Sequence, residues 1–284
     1  MVSEVKVTVL VEDSVNPNKT NLSAQHGLSF LVEAKTGDNS VFILMDTGPS
    51  PDVLLHNVDA MAIDLHRTEV IVLSHGHRDH VTGLLGALKR IGKQGPVIMH
   101  PKIFDPKFKA KPNLRFIGAP FEPRDVQEAG GVLLHAGNPV TISRGIMTTG
   151  EIERRTLFEK PEDFWTVHDG RFVEDLLFDE QALIIDLEDK GLVVLTGCAH
   201  AGVVNTVRHA QKIAEKNKIH AVLGGFHLTK ANDNKIQSTV NELAGLNVDF
   251  IGPCHCSGND ATARFTEVLG DRCHPLQTGD VMKL

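Results

Sequence analysis

An α/β fold of two packed sheets with helices outside is predicted by three observations. Strand-like runs cluster at the N-terminal end with no helices between them, and strand–helix alternation begins only later. That alternation recurs loosely in the second half. Several apolar runs lack polar alternation, which suits strands covered on both faces.

In chain order, period-two and continuous apolar patterns predict strands at residues 5–11, 28–34, 41–46, 70–73, 96–99, 132–135, 182–187, 192–196, 221–223 and 248–251. Helical spacing predicts helices at 51–57, 82–90, 122–129, 203–217, 235–243 and 262–269. In the 203–217 segment, Val203, Val204, Val207, Ala210, Ile213 and Ala214 fall on one face and Arg208, Gln211 and Lys212 on the other. Between about 102 and 178 the pattern is irregular, broken by Pro106, Pro112, Pro120, Pro123 and Pro161. This stretch reads as an insertion that covers a site, within one domain spanning residues 1–284.

Composition narrows the class. The 284 residues are 41% hydrophobic, enough for a large core. No apolar run approaches the roughly 20 residues that span a bilayer, and the first residues alternate like a strand and not like a signal peptide. A net charge of -7 argues against a nucleic-acid partner, although a local basic pocket for a phosphate ester is compatible with it. Cys198, Cys254, Cys256 and Cys273 form no CxxC pair, so a reducing cytoplasm is expected. No membrane association is expected, and the oligomeric state is not legible.

The chemistry concentrates after the run Val70-Ile71-Val72-Leu73. There Ser74-His75-Gly76-His77-Arg78-Asp79-His80 places three imidazoles and a carboxylate within six residues. His75 and His77, two apart, face one side in extended chain, and Gly76 lets the backbone approach closely. Three more apolar runs end in small or turn-forming residues and then histidine: Gly197-Cys198-Ala199-His200, Gly224-Gly225-Phe226-His227 and Gly252-Pro253-Cys254-His255. In a parallel or mixed sheet such ends share one edge, where ligands bind. A single histidine after a strand is usually a surface or hydrogen-bonded residue, and Asp79 alone would serve as a helix cap. Their clustering favours metal ligation, by zinc first, with iron or manganese as alternatives. The cysteines beside these histidines read as small buried hydrophobes.

An HxHxDH segment followed by single strand-end histidines resembles the metallo-β-lactamase superfamily over nearly the whole chain. The resemblance implies a four-layer αββα sandwich with one or two divalent metal ions at its edge. It implies that His75, His77 and His200 hold the first ion, and that Asp79, His80 and His255 hold the second. It also implies that Asp46, in Leu44-Met45-Asp46-Thr47-Gly48, orients the metal loop from behind the ligands. The superfamily usually supplies a bridging Asp where this chain has His227. An imidazole presents one lone pair and does not bridge two ions, so His227 is a ligand to one ion or the metal count falls.

Five further segments resemble a subgroup of metal-dependent hydrolases. They are Gln25–Phe30, Thr149–Arg154, Asp179–Leu183, Thr196–Asn205 and Gly224–Leu228. That subgroup includes an archaeal dihydropteroate-synthase-like enzyme, which joins a dihydropterin methyl diphosphate to a ribofuranosylaminobenzene phosphate. The resemblance implies a metal-dependent hydrolase or transferase acting on a phosphorylated or pterin-type small molecule. A lactonase or phosphodiesterase, or a mononuclear iron dioxygenase of the same fold, is the alternative. Asp79 would hold both the metal and the nucleophile. For substrate, the sequence offers His26 in a hairpin-like loop, Arg154 with Arg155 as an anion clamp or a solvated surface pair, and Asn205. The amides of Ala201, Gly202 and Val203, at a helix N-terminus, are a candidate phosphate site.

Overall fold

A computed structural model describes residues 1–37, 39–160 and 163–284; the Pro161 expected to break the insertion lies outside them. Two mixed sheets face each other. The first runs Val281–Lys283, Glu4–Val11, Ser29–Thr36, Asn39–Met45, Val70–Val72, Gly95–Met99, Gly131–His135, antiparallel at its start and parallel from Asn39–Met45 onward. The second runs Phe250–Cys254, Ile219–Gly225, Gly191–Thr196, Leu183–Leu187, Ile146–Thr148, Thr141–Ser143, and its first two pairings are parallel.

Between the sheets, Val7, Phe30, Val32, Ile43 and Met45 meet Leu183, Ile185, Val193, Leu195 and Leu223 in one buried cluster. The outer face of the second sheet packs on Val203–Ala214, Asp233–Gly245 and Asn259–Leu269, and that of the first on Pro51–Ala60 and Leu84–Ile91. This is the αββα sandwich, with apolar helix stripes covering the sheets because no other face is dry.

Some element bounds differ from those expected. The helix expected at 82–90 is two pieces, Arg78–Val81 and Leu84–Ile91, with Gly83 between them. A Cβ on Gly83 would lie 2.0 Å from the Thr47 carbonyl oxygen, so the break is where the chain must pass the Asp46–Gly48 turn. The helix expected to reach 217 stops at Ala214, where Glu215 turns left-handed at φ 52°. The strand Val281–Lys283 is too short to show a period.

The stretch expected as an insertion is more regular than its prolines suggest and is only partly an addition to the sandwich, since Gly131–His135 extends the first sheet and Thr141–Ser143 with Ile146–Thr148 the second. It contributes a third antiparallel sheet, Arg171–Glu174, Phe164–His168, Lys107–Lys109, Arg115–Phe116. Among the described residues, no helix is long and apolar enough to cross a membrane.

Register places the site. Thr196, Gly224 and Pro253 are neighbours across the three parallel strands of the second sheet, so the loops after them leave at one level. Met45, Val72 and Ile98 do the same in the first sheet. Phe265, fully buried, packs edge-on under Phe226, the residue before His227. Phe265→Ala is expected to destabilise the fold by about 3–5 kcal/mol, read as a lowered urea midpoint with circular dichroism in the folded baseline unchanged.

Candidate metal centre

The donors enter from strand ends, and several of those ends turn through strained backbone. Asp46, Ala199, His227 and His255 have φ of 56°, 54°, 47° and 50°. Non-glycine residues rarely adopt this conformation, and it persists where surrounding contacts over-determine it. Gly76 is needed for a different reason: a Cβ there would lie 2.2 Å from the Ile103 carbonyl oxygen.

The sequence-predicted donors converge in two groups. His77 Nδ1 is 3.0 Å from His75 Nε2 and 3.1 Å from His200 Nε2. Asp79 Oδ2 is 3.5 Å from His255 Nε2 and 4.0 Å from His80 Nε2, and those two nitrogens are 3.3 Å apart. His227, half-buried, has its ring 4.3 Å from that of His200.

Hydrogen bonds behind the ligands assign the ring tautomers. Asp46 Oδ2 accepts from His80 Nδ1 at 2.7 Å and from the Ser74 hydroxyl at 2.6 Å, while its Oδ1 takes the Ser74 N–H at 2.7 Å. With that hydroxyl committed, His75 Nδ1 donates to Ser74 Oγ at 2.9 Å. Asp13 Oδ1 accepts from His255 Nδ1 at 2.7 Å. The proton is thereby placed on Nδ1 of His75, His80 and His255, and each Nε2 lone pair points into the site.

Burial pushes the His75 and His200 imidazoles well below the usual range and His77 down to about 3. Burial alone would raise Asp79, yet the facing imidazoles of His80 and His255 hold it well below the usual carboxylate range.

These groups fit a divalent cation. His75 Nε2, His77 Nδ1 and His200 Nε2 converge at about hydrogen-bond distance beside Asp79, His80 and His255, and the buried His227 Nδ1 lacks any partner. Nitrogen and carboxylate donors of this kind suit zinc and its neighbours in the first transition row.

The cavity above the donors has a volume of about 680 Å³. Its walls carry Arg78, Lys109, Arg115, Lys160, Lys230 and Lys235, together with His26, Asp79 and Phe164. Lys109, Arg115 and Phe164 come from the insertion. His26 is exposed; its Nδ1 bonds Asp13 at 2.8 Å and its Nε2 lies 3.5 Å from Asp79. The bond to Asp13 raises its pKa.

Other sequence-predicted residues are placed elsewhere. Asn205 is buried; its Oδ1 accepts the N–H groups of Arg155 and Thr156 and its amide donates to Ala201 O. Arg154 donates to Leu177 O and lies over Phe178. Neither is on the cavity wall. Arg155 is an exposed partner of Glu153.

The helix N-terminus expected to take phosphate is filled by this chain's own Glu159. Its carboxylate accepts from Val204 N at 2.9 Å and Asn205 N at 2.8 Å, and lies where a Cβ on Gly202 would be. Burial pushes this carboxyl up to about 7, and it occupies the place expected for a ligand.

Residue-by-residue reading missed several supports. Asp13 stands at the end of the first strand and holds both His26 and His255. Asp179 Oδ2 accepts the Gly76 N–H at 2.8 Å, and Glu180 accepts the N–H groups of Ala199 and His200 at 3.1 and 3.0 Å. Lys107, fully buried, pairs with Asp179 at 2.9 Å and Asp175 at 3.4 Å. The acidic Asp179-Glu180 pair ahead of a buried strand was the available signal. Cys198 is buried, but its Sγ lies 3.1 Å from His80 Nε2, closer to the chemistry than a packing role requires.

No family model matches the chain. A 7,8-dihydropterin-6-methyl-4-(β-D-ribofuranosyl)-aminobenzene-5'-phosphate synthase of Methanocaldococcus jannaschii is 35% identical, covering 99% of this chain and 97% of its own length. An uncharacterised protein of the same organism is 32% identical over 86% of this chain and 89% of its own. Among solved structures, a metal-dependent hydrolase of the β-lactamase superfamily superposes with a TM-score of 0.82 at 29% identity, covering 99% of each chain. The metallo-β-lactamase fold protein YhfI of Bacillus subtilis superposes at 0.57 with 13% identity, covering 99% of this chain and 100% of its own, a likeness of fold alone.

Three outcomes are expected. Asp46→Ala frees His80 and Ser74 and weakens metal affinity roughly 10–100-fold, measured by competition with a chelator. Lys107→Met leaves Asp175 and Asp179 buried without their cationic partner and costs about 3–5 kcal/mol of stability, measured by urea unfolding.

The metal-free chain loses stability as pH falls. The unfolded imidazoles take protons below the ordinary value of 6.5 that folded His75, His77 and His200 refuse, down to about 3 for His77. The unfolded state therefore binds more protons across that window, so stability rises with pH there. Melting temperature against pH, with and without zinc, checks this.

Proposed function

We infer the reaction from a premise: the chain belongs to the metallo-β-lactamase superfamily, in the family that includes the Methanocaldococcus jannaschii 7,8-dihydropterin-6-methyl-4-(β-D-ribofuranosyl)-aminobenzene-5'-phosphate synthase. Enzymes of this fold use divalent metal ions, and the chain is read as an enzyme on that basis. We propose that it transfers a pterinylmethyl group from its diphosphate ester to the amine nitrogen of a phosphorylated aminobenzene riboside: the C–O bond to diphosphate breaks, a C–N bond forms, and the amine gives up a proton. The observation that carries this is the cavity wall. Six cationic side chains surround the donors on a chain whose net charge is -7. A charge so concentrated against the overall balance suits a substrate bearing two or more phosphates.

In this reading His75, His77, His200 and His227 hold one ion, zinc being the best fit, and Asp79, His80 and His255 hold a second. Metal bound by these residues would supply positive charge where oxyanion charge develops on the leaving diphosphate. Lys109 and Arg115, carried by the insertion, bind the phosphates and orient the ester. His26, its proton held by Asp13, donates from Nε2 to a departing oxygen. Asp79 Oδ2 holds the attacking group in line. Phe164, 5.1 Å from the His77 ring and 4.9 Å from that of His200, excludes water from the reacting carbon.

Hydrolysis is the second reading, favoured by the superposition on a metal-dependent hydrolase. The same cationic wall would then bind a phosphate ester attacked by water. Free buried cysteines suit a reducing cytoplasm as the setting for either.

Incubating zinc-loaded protein with the dihydropterin methyl diphosphate and the phosphorylated aminobenzene riboside tests the proposal. Mass spectrometry is expected to find the coupled product and free diphosphate in equal amounts; free hydroxymethylpterin without coupled product would establish hydrolysis instead. Asp79→Asn is expected to lower kcat by roughly 100-fold or more. Lys109→Ala with Arg115→Ala is expected to raise KM about tenfold or more, as two phosphate contacts of about 1 kcal/mol each are lost. Steady-state kinetics separates the two effects.

A further inference from the structure

We propose that Cys198 is a metal ligand, and that its sulfur bridges the two donor groups. The proposal rests on the metal-dependent reading above and adds a ligand which that reading leaves out. Each group offers donors for its own ion, but His227 cannot join them, because an imidazole nitrogen has one lone pair. A thiolate sulfur has lone pairs for two ions.

Its position suits the task. Sγ is 3.1 Å from His80 Nε2, in the second donor group. Within mutual distances of 4.8 Å it also belongs with His75 and His80, with His200 and His227, and with His255 and Cys256. One atom is thus within reach of donors from both groups. Metal–sulfur bonds of about 2.3 Å allow one sulfur to span two ions about 3.5–4 Å apart.

The loop leaves Cys198 no other place. A Cβ on the preceding Gly197 would lie 2.0 Å from Ser74 Oγ and 3.1 Å from Asp46 Oδ2, so the chain is pressed against the support of the metal loop. On the other side, a Cβ on Gly225 would lie 3.3 Å from the Cys198 Cα. Because Asp46 commits the His80 Nδ1 proton, His80 Nε2 is an acceptor, and in the metal-free chain the Cys198 thiol donates to it. Loading breaks that S–H bond, passes its proton to buffer, and puts sulfur and nitrogen lone pairs on the ions.

Cys256 is the internal control. Its sulfur accepts the His227 N–H at 3.3 Å and its thiol points to Cys198 O at 3.5 Å, so it is turned to backbone groups where Cys198 Sγ faces the His80 ring.

Cobalt is the probe. Metal-free protein is titrated with cobalt(II), following near-ultraviolet absorption for sulfur-to-cobalt charge transfer and counting bound ions by elemental analysis. Wild type is expected to bind about two ions per chain and to show the band. Cys198→Ser is expected to lose the band and hold about one ion firmly, and Cys256→Ser to keep both. Cys198→Asp is expected to restore about two ions without the band, because a carboxylate can also bridge.

X-ray absorption at the cobalt edge of the wild type alone, expected to show a sulfur neighbour at both ions, decides the matter if a variant fails to fold. Two bound ions without sulfur ligation, or a band that follows Cys256, would overturn the proposal and leave the metal-dependent reading standing. A chain that binds no cobalt would overturn both.

Discussion

Three consecutive side chains, Asp179, Glu180 and Gln181, hold the two halves of the donor set in one frame. Asp179 takes the amide of Gly76, Glu180 takes those of Ala199 and His200, and Gln181 donates from its side chain to Leu73 O at 2.8 Å. All three are buried. In a low-dielectric interior such bonds are individually strong, and an unmade one leaves a polar group with no water to turn to. The loop carrying His75 and His77 comes from one sheet and the loop carrying His200 from the other. The apolar core between the sheets is non-directional and does not set their spacing to a few tenths of an ångström. The polar seam does.

That seam extends into the insertion. Lys107 pairs with both Asp179 and Asp175, so the carboxylate holding Gly76 has a buried cationic partner. Two residues further on, Lys109 lines the cavity, with its ammonium 4.7 Å above the Phe164 ring. Two apart on one short strand, the two lysines share a face, the first bracing the loop that carries His75 and His77 and the second setting the charge of the cavity. Folding of the insertion and competence of the site are coupled through it.

The donor cluster itself is costly in the metal-free chain. Buried nitrogens lack partners, lone pairs face each other, and four non-glycine residues sit at positive φ. A bound cation relieves the facing lone pairs and stabilises the folded state by mass action. A site built this way exchanges fold stability for readiness to bind, and the surrounding core, with its three apolar clusters, offsets the loss.

Much of this was legible in the sequence. The HxHxDH segment, the three later strand-end histidines and Asp46 are all where local patterning places them, because a strand of continuous apolar residues ending in a small residue determines both direction and exit point. The two-sheet architecture followed from the order of strands and helices. The sheet within the insertion did not, since strands of two to five residues broken by prolines carry too little periodicity.

Nor did the fates of Asn205 and the helix amides after His200. They depend on Glu159, whose carboxylate reaches them only in the folded chain. Asp13 and Cys198 are the same case: one lies at the far end of the sequence from His255, the other reads as a packing residue. Residue type and strand ends are local properties, so the sequence by itself determined which histidines gather at one edge of the sheets. Which groups stand behind those histidines, and which side chains line the cavity, are set by contacts between residues far apart in the chain, and only the tertiary structure decided them.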